Sequence, residues 1–280
     1  MFAIIGIVVV FGAVVSGYLM EHGNLKVLLQ PSEFVIIAGA AAGTVLIANP
    51  MDVLKGILAG VKSVFGSSKF GKTLYADVLK QLYLVMQAAR KQGLNELEKD
   101  VENPEKSKLF SMWDQHLQAF VCDTLRMAMT GGPTPFELDQ MMEADMEVRH
   151  HTSNLPVNAL NTVADSLPGL GIVAAVLGVV ITMGALGGPP EEIGHKVAAA
   201  LVGTFLGILL CYGLLGPMAS KMGRAAEEEG QFYHAVRISL IAFLKGASPQ
   251  VALEFGRRAV PGNVRPTFHE LEKSLKGPKT

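Results

Sequence analysis

Leu167-Pro168-Gly169-Leu170-Gly171-Ile172-Val173-Ala174-Ala175-Val176-Leu177-Gly178-Val179-Val180 opens a run without charge that extends to Leu186, and its reading decides the fold. A helix of about 20 apolar residues crosses the hydrocarbon core of a bilayer. Three further blocks share this character: Phe2 to Met20, Phe34 to Asn49 followed by Pro50, and Val197 to Pro217. The second is short, so it is expected to be lengthened by Val27 to Leu29 or to thin the bilayer locally. No Lys or Arg precedes the first block, and no small-residue cleavage site follows it clearly. It therefore reads as a retained helix rather than a signal peptide.

Composition agrees with a membrane protein that carries soluble parts. Half of the 280 residues are hydrophobic and 18% are charged, against about 25% in soluble domains. A net charge of −1 points away from a nucleic-acid partner. Cys122 and Cys211 lie far apart, with Cys211 in an apolar block, which argues against a disulfide framework or a zinc site.

The basic residues orient the chain. Of the 24 Lys and Arg, 22 fall in segments 51–166 and 218–280; the two short loops hold only Lys26 and Lys196. Lys55 and Lys62 follow the second block, and Lys221 and Arg224 follow the fourth, so both large segments are expected in the cytoplasm with both termini. The expected organisation is two spans with a short periplasmic loop in 1–50, a cytoplasmic helical domain in 51–166, two further spans in 167–217, and C-terminal cytoplasmic helices in 218–280.

Helical periodicity dominates the cytoplasmic segments. Leu74, Val78, Leu82, Val85 and Met86 recur at helical spacing within Thr73 to Lys91, with Gly93 as a stop. A second helix is expected from about Trp113 to Met129, ending at Gly131-Gly132. Thr134-Pro135-Phe136-Glu137 then forms a capping box with proline in the first turn, and predicts a helix to about Arg149. A tail helix over Ala225 to Phe243 continues the fourth span inward, and Ser248-Pro249 caps a short helix towards Gly256. No useful stretch alternates with period two. The expected fold class is an all-α integral membrane protein with four transmembrane helices and a helical cytoplasmic domain.

The spans themselves look chemically bare. Glu33, Asp52 and Asp165 read as edge residues, and no ionisable group reads as central. An ion path at membrane depth normally shows an ionisable residue facing the bundle interior. The chain is therefore expected either to conduct nothing or to borrow a carboxylate from a partner helix. Gly169, Gly171 and Gly178 in the third span, and Gly203 with Gly207 in the fourth, allow close helix approach, either in ordinary packing or to receive that partner. Thr204 either bonds its own helix carbonyl four residues back or lines a wet path. Pro168 and Pro217 read as punctuation at span ends, or as hinges.

Asp165 to Val180 resembles the third span of the MotA family of flagellar stator subunits, and Val202 to Leu210 with Tyr212-Gly213 and Pro217 resembles its fourth. Leu97-Glu98-Lys99-Asp100-Val101-Glu102-Asn103-Pro104, Val251 to Arg257, and Gln30 to Ala40 resemble three further stretches, so the likeness covers nearly the whole chain. The resemblance implies five copies around two helices of MotB, which supplies a proton-carrying aspartate, and torque delivered to the rotor protein FliG in the bacterial inner membrane. It implies that Arg90 is the basic rotor contact, with Lys91 beside it, and that Glu98 is its acidic counterpart. It further implies that Thr204 is the pore threonine, that Pro168 and Pro217 serve coupling, and that Gly171 belongs to the pore helix. Ala175 matches a position that resembles threonine in sodium-driven relatives. A methyl group offers no oxygen ligand, which favours protons.

Other constellations are bland. His150-His151 point apart on a helix and read as no metal site. Glu227-Glu228-Glu229 reads as a solvated face. No nucleotide loop, triad or nucleophile elbow appears, so neither an enzyme nor a cofactor is expected. Two rival readings remain: an ExbB or TolQ relative, although those chains carry one span before their long loop, and a membrane scaffold that conducts nothing.

Overall fold

The computed structural model describes residues 2–184, 187 and 189–276. The described residues are helical and contain no strand. In order, the helices are α1 (Phe2–Met20), α2 (Leu25–Leu28), α3 (Pro31–Ala48), α4 (Met51–Val64), α5 (Lys72–Gln92), α6 (Glu98–Glu102), α7 (Gln115–Met129), α8 (Pro135–Met183), α9 (Pro190–Leu210), α10 (Gly216–Leu244), α11 (Pro249–Ala259) and α12 (Phe268–Lys276). Four stretches are long and apolar enough to span a membrane: Phe2–Met20, Leu25–Ala48, and parts of Pro135–Met183 and Pro190–Leu244. Leu186, the expected end of the third block, lies outside the described residues. The chain divides into two compact units, residues 1–67 with 153–224 and residues 68–152 with 225–280.

Several boundaries depart from the sequence reading for identifiable reasons. The second span does take in Val27 to Leu29, running from Leu25 to Ala48, but not as one unbroken helix: Val27 and Leu28 lie in the separate turn α2, capped by the Asn24 side chain accepting from Lys26 N. α3 then starts at Pro31, a residue already fixed at a helical φ, and so takes in Glu33. The helix expected to stop near Arg149 runs on to Met183, through Pro156 and Pro168. Proline interrupts a helix in water, but in a bundle neighbouring helices and local adjustment compensate for the lost donor. Pro217 likewise does not end the helix that carries the fourth span. A π turn over Cys211–Leu215 precedes it, with Gly216 N–H donating to Cys211 O, and α10 continues directly. The wider turn absorbs the register that a proline without an N–H disturbs.

In the first unit, Ile37, Ala41, Ala164, Leu167, Ala174, Val202, Leu206 and Cys211 form one cluster, and Val64, Val157, Leu160, Met218, Ala219 and Met222 another. α1 contributes no buried residue, as befits a helix whose surroundings are lipid or another chain. α4 lies close enough to α8 that a side chain on Gly56 would meet Pro156 Cγ at 2.5 Å. Its C-terminus is capped by Lys221, whose Nζ donates to Val64 O at 2.6 Å; a cation suits the negative end of a helix.

The second unit has a larger core, built from α5, α7, the C-terminal part of α10 and α11. The expected capping box forms: Thr134 N donates to Glu137 at 2.7 Å and Glu137 N to Thr134 Oγ1 at 3.3 Å. Thr267 and Glu270 repeat it at the start of α12, a helix that the sequence reading passed over although Thr267-Phe268-His269-Glu270 carries the same signature. Arg237, 9% exposed, is held by Asp139 at 2.7 Å and Glu143 at 3.3 Å. Tyr233 stacks edge-on to Phe120 and Phe232 and carries the Arg149 guanidinium 4.4 Å above its ring. Cys122 is buried in this core, and burial pushes its thiol up to about 12, so it is an inert apolar group rather than a nucleophile.

Leu82 is fully buried at the centre of α5, so Leu82→Ala should lower stability by roughly 2–5 kcal/mol, read as an earlier thermal unfolding midpoint in detergent. A pH effect is expected on α11. Glu254 accepts from Arg257 and Arg258, each at 2.7 Å, and the Arg257 bond foremost, then Arg258, holds its carboxyl at about 2 against an ordinary 4.5. Its stabilising contribution is complete above the ordinary value and is lost as pH falls from 4.5 through about 2. Hydrogen exchange should show α11 loosening over that window, and Glu254→Gln should remove that acid dependence.

Candidate functional site in the α8–α9 seam

Spans three and four meet along a line of small residues. A Cβ on Gly171 of α8 would lie 2.7 Å from Gly203 O and 3.2 Å from Thr204 Cα of α9. One on Gly178 would lie 2.7 Å from Ala200 Cβ, and one on Gly203 would lie 3.1 Å from Ala174 Cβ. A Cβ on Gly207 would run into Leu167 O. These glycines therefore face each other within one chain. Of the two readings of these glycines, ordinary packing and room for a partner helix, the first describes Gly171, Gly178, Gly203 and Gly207, because backbones can meet only where side chains are missing.

The seam collects most of the membrane residues singled out from the sequence. Gly171 is buried in it, Ala175 and Thr204 are half-buried beside it, and the carbonyl just before Pro168 abuts Gly207. Pro217 is exposed and stands beyond the π turn, away from the seam. Thr204 is distinctive. Thr44, Thr124, Thr152, Thr162 and Thr182 each donate to a carbonyl three or four residues earlier. Among the described residues, the Thr204 hydroxyl makes no such bond, so the back-bonded reading does not hold and its donor stays available.

One residue of the site reads differently in the structure. Glu33 is not an edge group: it is 5% exposed in the first turn of α3, with Oε2 lacking a hydrogen-bond partner among the described residues. That oxygen lies 2.5 Å from where a Gly203 Cβ would sit. The membrane unit therefore does hold an ionisable group turned inward, because α3 begins at Pro31 rather than at Phe34. The signal available was Gln30-Pro31-Ser32-Glu33, a proline-initiated helix start.

Arg90, Lys91 and Glu98 belong to the other unit. Arg90 and Lys91 occupy the last turn of α5, where cations complement the helix dipole. Gly93, at φ +97°, turns the chain into a 3₁₀ turn at Leu94–Leu97 and then α6. Leu97 and Val101 are buried beneath, and Arg126 ties α6 to α7 by donating to Glu102 at 2.7 Å. Glu98 is thus left outward, and all three charged side chains are exposed without an ion pair among the described residues.

Residues 4–93 match the family described as Motility protein A N-terminal, and residues 112–234 match the MotA/TolQ/ExbB proton channel family. Motility protein A of Escherichia coli strain K12 is 39% identical over 284 residues, covering 100% of this chain and 96% of the relative. The chain belongs to the motility protein A family. The corresponding protein of Salmonella typhimurium is 38% identical over 99% of this chain and 95% of the relative. The fold agrees with a structure of C. jejuni MotAB, at TM-score 0.77 and 20% identity, covering 95% of this chain and 98% of that one. It also agrees with the flagellar MotAB stator complex from Bacillus subtilis, at TM-score 0.72 and 24% identity, over 90% and 92%. The chain is thus a membrane-embedded stator subunit of the flagellar motor in a proton-channel family. The N-terminal match over residues 4–93 leaves the ExbB and TolQ alternative disfavoured.

The seam yields a paired test. Gly207→Val places a branched side chain against the Leu167 carbonyl and should lower stability by roughly 1–3 kcal/mol, seen as lost accumulation in membranes. Gly169→Ala, where a Cβ would meet nothing within 4 Å, should accumulate like the parent chain.

Proposed function

We propose that this subunit works as a pentamer around the membrane helices of two MotB chains in the bacterial inner membrane, with both termini in the cytoplasm. Protons move through that complex past Thr204, and the resulting motion pushes FliG through Arg90, Lys91 and Glu98. The observation that carries this reading is the hydroxyl of Thr204, which makes no hydrogen bond among the described residues and lies where neither α8 nor α9 brings a carboxylate of its own to the seam. It suits a carboxylate brought by another helix. The proton is favoured over sodium because Ala175, beside Gly203, offers a methyl group where a hard cation would want oxygen.

The exposed charges suit a contact that forms and releases quickly. Exposed ion pairs contribute only ~0–1 kcal/mol each, so several together steer a partner without trapping it. Pro168 and Pro217, each next to a backbone irregularity or close contact of a pore helix, are suited to transmit small changes at the pore along α8 and α10.

Deletion of the gene should leave filaments assembled but paralysed, checked by swimming assays alongside electron microscopy. Arg90→Glu and Glu98→Lys should each reduce torque severalfold while the complex still co-purifies with MotB. Normal swimming in a deletion strain with no second stator would refute the assignment.

A further inference from the structure

Glu33 stands out from every other acidic side chain of the membrane unit. It is 5% exposed, and its Oε2 has no hydrogen-bond partner among the described residues. Its immediate surroundings are the backbone of Gly203, whose missing side chain provides the space, and beyond that Ala174 and the Ala175 backbone. The elements packed around it carry few charges. These are Lys26 on α2 and Glu191, Glu192, His195 and Lys196 at the outer end of α9; α8 carries none between Ser166 and Met183. Lys196 is paired with Glu192 at 2.9 Å, and no described cation pairs with Glu33. A carboxylate so placed would be a buried charge with neither water nor counter-ion, which is far costlier than the neutral acid.

Its depth matters as much as its burial. Glu33 lies level with Gly203 and Ala174. From there α8 continues to Met183 and α9 reaches back to Pro190, so about 13 Å and about 20 Å of helix lie further out at 1.5 Å per residue. The carboxyl therefore sits well inside the outer limit of the pore pair, one residue in sequence from the level of Thr204.

We propose that Glu33 is a proton-binding residue of the conducting path, supplied by this chain in addition to the partner's carboxylate. This rests on the stator reading above. The carboxyl takes a proton from water on the outer side, forming an O–H bond at its Oε2. That bond breaks as the proton passes through water near Thr204 to the partner's carboxylate, and the site is restored by the next proton from outside. An intramembrane ionisable group turned towards the bundle interior is the expected mark of such a relay.

The test uses the purified complex of this chain with MotB, reconstituted in vesicles. Infrared difference spectra should contain the carbonyl band of a protonated carboxyl near neutral pH that shifts in D2O and is missing in Glu33→Gln. Proton flux should fall about tenfold or more in Glu33→Gln, with co-purification of MotB unchanged, and Glu33→Asp should restore conduction with an altered pH profile. A flux in Glu33→Gln equal to the parent's, or no band assigned to Glu33, would overturn the proposal. Should Glu33→Gln not assemble, the pH profile of Glu33→Asp decides: an unchanged profile overturns it and a displaced one supports it. Failure of the stator reading would look different, since then the parent chain would neither co-purify with MotB nor conduct.

Discussion

Two helices that touch backbone to backbone have nowhere to place a side chain between them, and the contact of α8 with α9 imposes that condition on the membrane unit. Gly171, Gly178, Gly203 and Gly207 meet it, with Ala174 and Ala200 filling the remaining space. In lipid there is no hydrophobic drive to bring helices together, so the attraction comes from close packing itself. That demand fixes the relative rotation of the two helices. It settles which faces remain for other chains and for lipid: Ile172, Val173, Val176, Val179 and Val180 point away from the seam and are exposed.

Two groups of charges in this protein differ in what holds them. Arg237 with Asp139 and Glu143, Glu254 with Arg257 and Arg258, and Lys221 on the α4 carbonyls are tied at short distances to fixed partners. Removing one member of such a set leaves the others uncompensated. Arg90, Lys91 and Glu98 stand on equally firm supports, namely the buried Leu97 and Val101 and the anchor from Arg126 to Glu102, yet their own charged ends face solvent. Rigid placement with a free end is what a contact needs if it must find its partner repeatedly and let go each time.

Much of this was legible in the sequence because apolar length and helical period are strong local signals. α1 runs from Phe2 to Met20 as its uncharged block does, α5 matches Thr73 to Lys91 to within a residue at each end, and Thr134 to Glu137 caps α8 as its pattern demands. The errors came where tertiary context outweighs local preference. Proline reads as a break in isolation, but Pro156 and Pro168 lie inside a helix supported by its neighbours, and a π turn accommodates Pro217. The start of α3 at Pro31 was readable, but the direction in which Glu33 points was not. It depends on which side of α3 faces α9, and nothing in a run such as Glu33-Phe34-Val35-Ile36-Ile37 separates the inward face from the lipid face by polarity.

Gly203 joins these themes because its missing side chain is used twice. On one side it admits Ala174 and the α8 backbone; on another it admits the carboxyl of Glu33. A packing requirement alone would be met as well by apolar residues at position 33, and replacing a buried ionisable group by one is often neutral or stabilising for a fold. An acid in that position therefore gains nothing for the packing of α3 on α9 and leaves an oxygen unsatisfied. Structural strain of this kind persists at functional sites, where the surrounding fold can bear it. The same absent Cβ that lets α8 and α9 touch also leaves room at their crossing for the carboxyl of Glu33.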